Sequence, residues 1–168
     1  FREEPEASLV YSKVDIFNDN FENTDNNKGH VFKDIQSPEQ SFKGLLEKFC
    51  YIHTSTVMVR KIVFEKVMFR EDFEVAEDFM FFLDCARYFS FLGLDISLVL
   101  KKRGHVSLVR DKIRMKKYFL KALHETFCQK NQNNEYKKAL SNMYIFFLKA
   151  GYNKGVAEKI KDLLYGVK

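Results

Sequence analysis

From Ala7 to Phe17 the chain alternates: Leu9, Tyr11 and Lys13 interleave with Val10, Ser12 and Val14, and the β-branched content fits a strand. Residues 18–29 are rich in Asn and Asp and predict a surface loop. Gly29 supplies the positive φ of a turn, so His30 to Ile35 reads as the returning strand of a hairpin. The Asp25-x-Asn27 spacing is not a calcium loop, because His30 takes the place of the required glycine and Gln36 that of the closing glutamate. A helix then starts with a capping box: Ser37 caps, Pro38 suits the first turn and Gln40 reaches back. Phe42, Leu45, Leu46 and Phe49 form its apolar face.

Tyr51 to Val59, rich in Thr and Val, predicts a strand. Lys61 to Val67 predicts a short helix with Ile62, Val63 and Val67 inward. Glu77 to Phe91 is apolar around most of its circumference, which predicts a helix buried on more than one side, with Gly93 as its C-cap. Ile96 to Leu100 predicts a short buried strand. Beyond it come three helices, over 111–129, 134–150 and 154–165, punctuated by 129–134 and 151–153. The chain thus passes from mixed α/β to all-α near residue 110.

Composition narrows the classes. Hydrophobic residues make up 46% of the 168 positions, enough for a sizeable core, so a wholly disordered chain is excluded. No apolar run reaches the ~18–20 residues that cross a bilayer. No basic segment followed by an apolar one opens the chain as a signal peptide does. The start within Phe1-Arg2-Glu3-Glu4 reads as a piece of a longer chain. Cys50, Cys85 and Cys128 are odd in number and form no Cys-x-x-Cys pair, which argues against a zinc ribbon or a disulfide framework. They read as free thiols of a cytoplasmic protein, with Cys85 in the core.

The net charge of +5 is an average of two opposed parts. Residues 1–100 hold 11 Lys and Arg against 18 Asp and Glu, and residues 101–168 hold 17 against 5. A basic tail attracts phosphate, in anionic lipid or RNA. It equally describes solvated outer faces of helices. Tyr118 and Phe119 share helical spacing with Leu120 and Leu123, a pattern that suits packing better than base stacking.

Glu77-Asp78 is the most informative pair. Two acids open an apolar helix, where the dipole and free backbone N–H groups favour a carboxylate. Such a group beside an apolar wall can serve as a general base, and it can equally be a plain N-terminal cap.

The surrounding order extends the picture. Tyr51-Ile-His-Thr-Ser-Thr-Val-Met-Val-Arg60 leads into Lys-Ile-Val-Phe-Glu-Lys-Val67; an acidic, Phe-containing loop follows from Phe69 to Phe73, then Ala76-Glu77-Asp78-Phe79. This order resembles the acceptor-side half of family 2 glycosyltransferases, which have the GT-A fold. Leu9-Val10-Tyr11-Ser12 looks like the family's strand after its metal-binding segment, and the loop at Lys28-Gly29 resembles the hairpin that follows. Leu98 to Ser107 is similar to its strand ending in an Arg/His/Ser segment.

The resemblance covers residues 7–110 and implies a partial GT-A-like mixed sheet with flanking helices at 1–110; the basic all-α helical segment at 111–168 is read from the residues themselves. It implies that Asp78 is the catalytic base and Glu77 an acidic neighbour that binds or orients the acceptor. It places His53, Thr54 and Ser55 at the acceptor cleft, and Arg103 and His105 near the diphosphate of the donor. His53 and His105 also have an ordinary reading as loop or strand-edge histidines. The chain departs from the family at Met68, where many members have Gly, and at Asp84, where many have Arg; Asp84 would put a third carboxylate one helical face from Asp78 and so alter the acceptor geometry that the resemblance implies. The family's Asp-x-Asp and its N-terminal βαβ half are not in this sequence. The divalent metal, Mg or Mn, is therefore expected in a full-length parent and not on this fragment.

The leading reading is a fragment, inactive alone, of an enzyme that moves a sugar from a nucleotide-sugar donor to a glycan or lipid-linked acceptor. It is expected to be cytoplasmic, peripheral to an anionic membrane surface through residues 111–168, and without a nucleic-acid partner. A non-catalytic binding module is the alternative. It needs Lys112, Arg114, Lys116, Lys117 and Lys121 on one exposed surface for anionic lipid or RNA. A third reading makes the tail a packing or oligomerisation element, with Tyr144, Phe146, Phe147 and Leu148 as a buried seam.

Overall fold

A computed structural model describes residues 1–17, 20, 31–48, 51–102, 112–128, 138, 139, 141, 142 and 145. The alternating segment forms strand β1 (Ala7–Phe17), with the predicted bounds. It is the middle strand of a three-stranded mixed sheet. On one side lies the antiparallel strand β2 (Val57–Val59), with Val10 opposite Met58. On the other lies the long parallel strand β3 (Ser90–Lys102), with Leu9 opposite Phe91 and Tyr11 opposite Gly93. Helices α1 (Pro38–Lys48), α2 (Glu77–Cys85) and α3 (Lys112–Cys128) flank the sheet in an α/β arrangement.

Because β2 and β3 occupy both edges of β1, the segment 31–36 cannot return beside it as a hairpin partner. It runs instead along β3: Gln36 and Phe91 exchange N–H···O bonds at 2.8 and 3.0 Å, and Gly93 N–H donates to the Phe32 carbonyl at 2.9 Å. His30 lies outside the described residues.

α1 begins as predicted. Ser37 N–H donates to Gln40 Oε1 at 2.9 Å and Gln40 N–H donates to Ser37 Oγ at 3.2 Å, closing the capping box. Ser41 is buried, and its hydroxyl donates to the Gln36 carbonyl at 3.2 Å. Leu45 and Leu46 carry the helix into the core.

Three predicted elements change length or type. Between Tyr51 and Val59 only Val57–Val59 is strand, since Thr54–Thr56 is a 3₁₀ turn. The Thr56 side chain and N–H both donate to the His53 carbonyl, at 2.7 and 2.8 Å, so a local turn takes the donor that a longer ladder would need. The next segment is a 3₁₀ turn, Lys61–Glu65; Val63 and Val67 are buried, but Ile62 is 51% exposed.

The predicted helix Glu77–Phe91 stops at Cys85 and the chain enters β3 at Ser90. A run that is mostly apolar, broken only by Asp84, Arg87 and Ser90 after its first two residues, gives little period to separate helix from buried strand, and pairing of Ser90–Leu92 with β1 decides it. Gly93 is thus a strand residue and not a helix cap. Ile96, Leu98 and Leu100 belong to the same strand and are 54%, 62% and 68% exposed, so the expectation of burial fails there.

The core joins Leu9 and Tyr11 of β1 to α1, to the α2 run Phe79–Leu83, and to Phe119 and Leu123 of α3. Cys85 is fully buried, and burial pushes its thiol up to about 12. The Phe79 and Phe119 rings meet edge to face at 5.3 Å, and Phe73 meets Tyr118 at 5.8 Å. Tyr118 and Phe119 are therefore packing residues, as their spacing predicts. α3 also closely matches its predicted span. The described residues at 138, 139, 141, 142 and 145 are helical, while the helix expected at 154–165 lies outside the described residues.

Arg60 fastens the N-terminal stretch. Its Nε donates to the Ala7 carbonyl at 2.7 Å, its Nη2 donates to the Phe1 and Pro5 carbonyls, each at 3.1 Å, and the guanidinium lies 4.5 Å from the Phe1 ring centroid.

A polar knot sits where β1, β3 and segment 31–36 meet. Tyr11 is 1% exposed; its oxygen accepts the Phe32 N–H at 3.1 Å and a hydrogen bond from the Tyr51 hydroxyl. A Cβ on Gly93 would stand 2.8 Å from the Phe32 carbonyl oxygen and 2.9 Å from both the Phe32 nitrogen and the Tyr11 hydroxyl. The absence of a side chain at Gly93 thus sets how closely segment 31–36 approaches the sheet.

Gly93→Ala should destabilise the fold by about 1–3 kcal/mol, measured by urea unfolding, because the clash is with backbone that cannot move aside. Burial raises both Tyr11 and Tyr51 above the ordinary tyrosine value. Their stabilising contribution is therefore complete below about pH 10 and lost as pH rises beyond it. An ultraviolet titration should show tyrosines that ionise only together with unfolding, and fewer of them in Tyr51→Phe.

Candidate functional site

α2 starts abruptly. Ala76 occupies its N-cap position in the left-handed region, at φ 61° and ψ 20°, and caps nothing with its side chain. A non-glycine residue in this conformation is strained by roughly 1–2 kcal/mol. The turn brings Glu77 and Asp78 into the first turn of the helix, leaving Glu77 exposed and Asp78 half-buried.

Asp78 is held at both oxygens. The Phe79 N–H donates to Oδ1 at 2.7 Å, and the Thr54 hydroxyl donates to Oδ2 at 2.6 Å. The second bond joins positions 24 apart in sequence. The 3₁₀ turn Thr54–Thr56 and the start of α2 thus meet across the edge of the sheet. His53 is half-buried and Ser55 is exposed on the same turn. Thr54 engages the carboxylate itself. Of the predicted set, Asp78, Glu77, His53, Thr54 and Ser55 gather on these two adjoining elements. Arg103 and His105 lie outside the described residues.

Met68 is 65% exposed, so its larger side chain meets no obstacle. Asp84 does not join Asp78. Its Oδ1 stands 3.5 Å from Arg87 Nε, and burial raises its carboxyl above the ordinary value against the pull of Arg87 and Arg70. Six residues on from Asp78, it faces a different side of α2.

The loop before α2 is laid down by aromatic and ionic contacts. Phe69 stacks on Phe81 with ring centroids 4.2 Å apart, and Phe64 lies 5.8 Å from the same ring. Arg70 forks onto Asp72 through Nε at 3.0 Å and Nη2 at 2.8 Å, and also pairs with Glu125 of α3. Lys121 of α3 reaches Asp72 and lies 4.4 Å from the Phe73 ring centroid, and Arg114 pairs with Glu74. The acidic loop thus neutralises part of the basic tail. Two of the five basic residues from Lys112 to Lys121, Arg114 and Lys121, pair with Glu74 and Asp72. Lys117 is exposed, and the side chains of Lys112 and Lys116 lie outside the described residues.

Among the described residues, no group of three or more His, Cys, Asp or Glu side chains could hold a metal ion. No helix among the described residues is long and apolar enough to cross a membrane.

A cavity of about 520 Å³ lies elsewhere, between α1, the end of α2, α3 and residues 138, 139 and 142. No predicted site residue lines it. The sequence signal for it was weak, because its polar walls are ordinary helix-surface residues until the helices pack. No protein-family model matches the chain, and no curated protein matches it either.

Arg70 and Lys121 hold the Asp72 carboxyl at about 2, below its ordinary 3.8. The folded value is depressed, so the stabilisation is present above pH 3.8 and lost as pH falls toward 2. Asp72→Asn should flatten the fall of the thermal midpoint across that window, and 1 M salt should shrink the difference between the two proteins.

Proposed function

We propose that the chain is the acceptor-side part of an inverting sugar transferase with a GT-A-like fold, and that Asp78 is its general base. One observation carries this reading: the start of α2 faces the 53–55 turn, and Thr54 holds the Asp78 carboxylate at 2.6 Å. A carboxylate buried as a mere cap would be spent on backbone donors. Asp78 is half-exposed and uses one oxygen on Phe79 N–H and the other on Thr54.

Each carboxylate oxygen can accept more than one hydrogen bond. An acceptor hydroxyl therefore has room to donate to Asp78 while the two protein donors fix the carboxylate. As the acceptor oxygen bonds to the anomeric carbon of the donor sugar, its proton passes to Asp78. The bond from that carbon to the diphosphate oxygen breaks, and the nucleoside diphosphate leaves with the electron pair. Glu77, exposed beside Asp78, is the group to orient a second acceptor hydroxyl, and His53 and Ser55 border the same edge. Donor binding is assigned to a nucleotide-binding part outside this sequence, with Arg103 and His105 contributing near the diphosphate.

Thr54 and Asp78 are tested together, in a parent chain that carries the donor half, by following nucleoside diphosphate release. Asp78→Asn should lower kcat by about 10²–10⁴-fold with donor affinity retained. Thr54→Val should lower kcat by about tenfold, and Thr54→Ser should restore it. Unchanged turnover in Asp78→Asn removes the residue from its role.

A further inference from the structure

The cavity between α1, the end of α2 and α3 has walls of two kinds. Phe42 and Leu46 of α1 face Ala86 and Ala139 and make an apolar side. Lys43, Arg87 and Lys138 bring positive charge to it from three separate elements, against Glu39 and Glu47. Glu47 is already paired with Lys138. The first turn of α1, at Pro38 and Glu39, also borders the space, and the positive end of the helix dipole adds to its potential. A volume of about 520 Å³ is in the range of small-molecule sites.

Two residues on this wall hold buried polar atoms that lack hydrogen-bond partners: Thr126, at its hydroxyl, and Arg87, at Nε. Thr126 is 4% exposed. Folded proteins leave few such atoms unpaired. Arg87 is loosely engaged, with Nη2 donating to the Thr126 carbonyl at 3.4 Å and Nε 3.5 Å from Asp84. Threonine on a helix readily takes either of two χ1 positions, so a turn of the side chain re-aims its hydroxyl.

The Thr126 hydroxyl can donate, and Arg87, ion-paired with Asp84 at 3.5 Å, has further guanidinium N–H groups to offer, which sets the complementary chemistry. A carboxylate only accepts, offers two oxygens and pairs well with guanidinium. The apolar side disfavours a bare inorganic anion. We infer that this cavity binds an amphipathic carboxylate, its head on Arg87 and Thr126 and its hydrocarbon body against Phe42 and Leu46. The site is separate from Asp78 and does not depend on the transferase reading.

Decanoate is the probe, with 1-decanol as the uncharged control, titrated into the full chain and followed by calorimetry and by backbone amide shifts. Saturable one-to-one decanoate binding that shifts amides of α1 and of residues 86–87 is expected, with decanol at least about tenfold weaker. Thr126→Val should weaken decanoate by about tenfold while leaving the ligand-free melting temperature equal or higher, since its hydroxyl makes no hydrogen bond in the free protein. Arg87→Gln should weaken it further. Absence of saturable binding, equal affinity for decanoate and decanol, or wild-type affinity in both variants overturns the assignment.

Discussion

The hydroxyl of Tyr11 sits in the middle of the core, where an unpaired polar atom would be costly. Its oxygen accepts from Phe32 N–H and from the Tyr51 hydroxyl, and that single requirement draws three distant segments together. The Tyr51 ring stands edge-on to both Tyr11 and Phe32, at 5.6 and 5.7 Å. The Phe32 ring in turn presses on Gly44 of α1, where a Cβ would meet it at 3.0 Å. Without side chains at Gly44 and Gly93, Phe32 fits between helix and sheet. α1 therefore sits where it does because a tyrosine in β1 needs its partners.

Around that knot the rest is positioned in turn. β1 fixes β2, and β2 fixes the 53–56 turn that precedes it. β1 also fixes β3, which sets where α2 must end. The start of α2 is then determined from both sides: the apolar run Phe79–Leu83 is anchored in the core, and the αL turn at Ala76 swings the two acids outward. The contact between Thr54 and Asp78 is the meeting of these two lines of constraint. Its tightness comes from the scaffold and not from any local motif.

What could be read in the sequence follows from the range of the forces involved. β1, the capping box of α1, the burial of Tyr118 and Phe119 and the span of α3 rest on local periodicity or on contacts a few residues apart, and they were legible. The end of α2 was not, because Phe79–Leu92 is apolar but for Asp84, Arg87 and Ser90, and only the pairing of β3 with β1 tells helix from strand. The place of segment 31–36 depended on which strands had already taken the edges of β1. At the site, the acid pair opening an apolar helix was visible. That Thr54 binds Asp78, and that Lys121 and Arg114 turn back on Asp72 and Glu74, required the fold, since no spacing rule links positions so far apart. The orphaned Thr126 hydroxyl could not be foreseen at all: in sequence it is one more threonine near the end of a helix.

The pairing of β1 with β3 also governs when this protein can fold. Lys13 and its ion-pair partner Asp95 are 82 positions apart, and the parallel register between the two strands runs from Ala7↔Ser90 to Phe17↔Lys102. Closing so long a loop comes before any reward from the contacts it makes. During synthesis the first strand leaves the ribosome early and waits, its alternating apolar face uncovered, until β3 has followed. α1, with its self-contained capping box, can form in that interval, but the sheet cannot. The interval is when a holding chaperone would find most to bind.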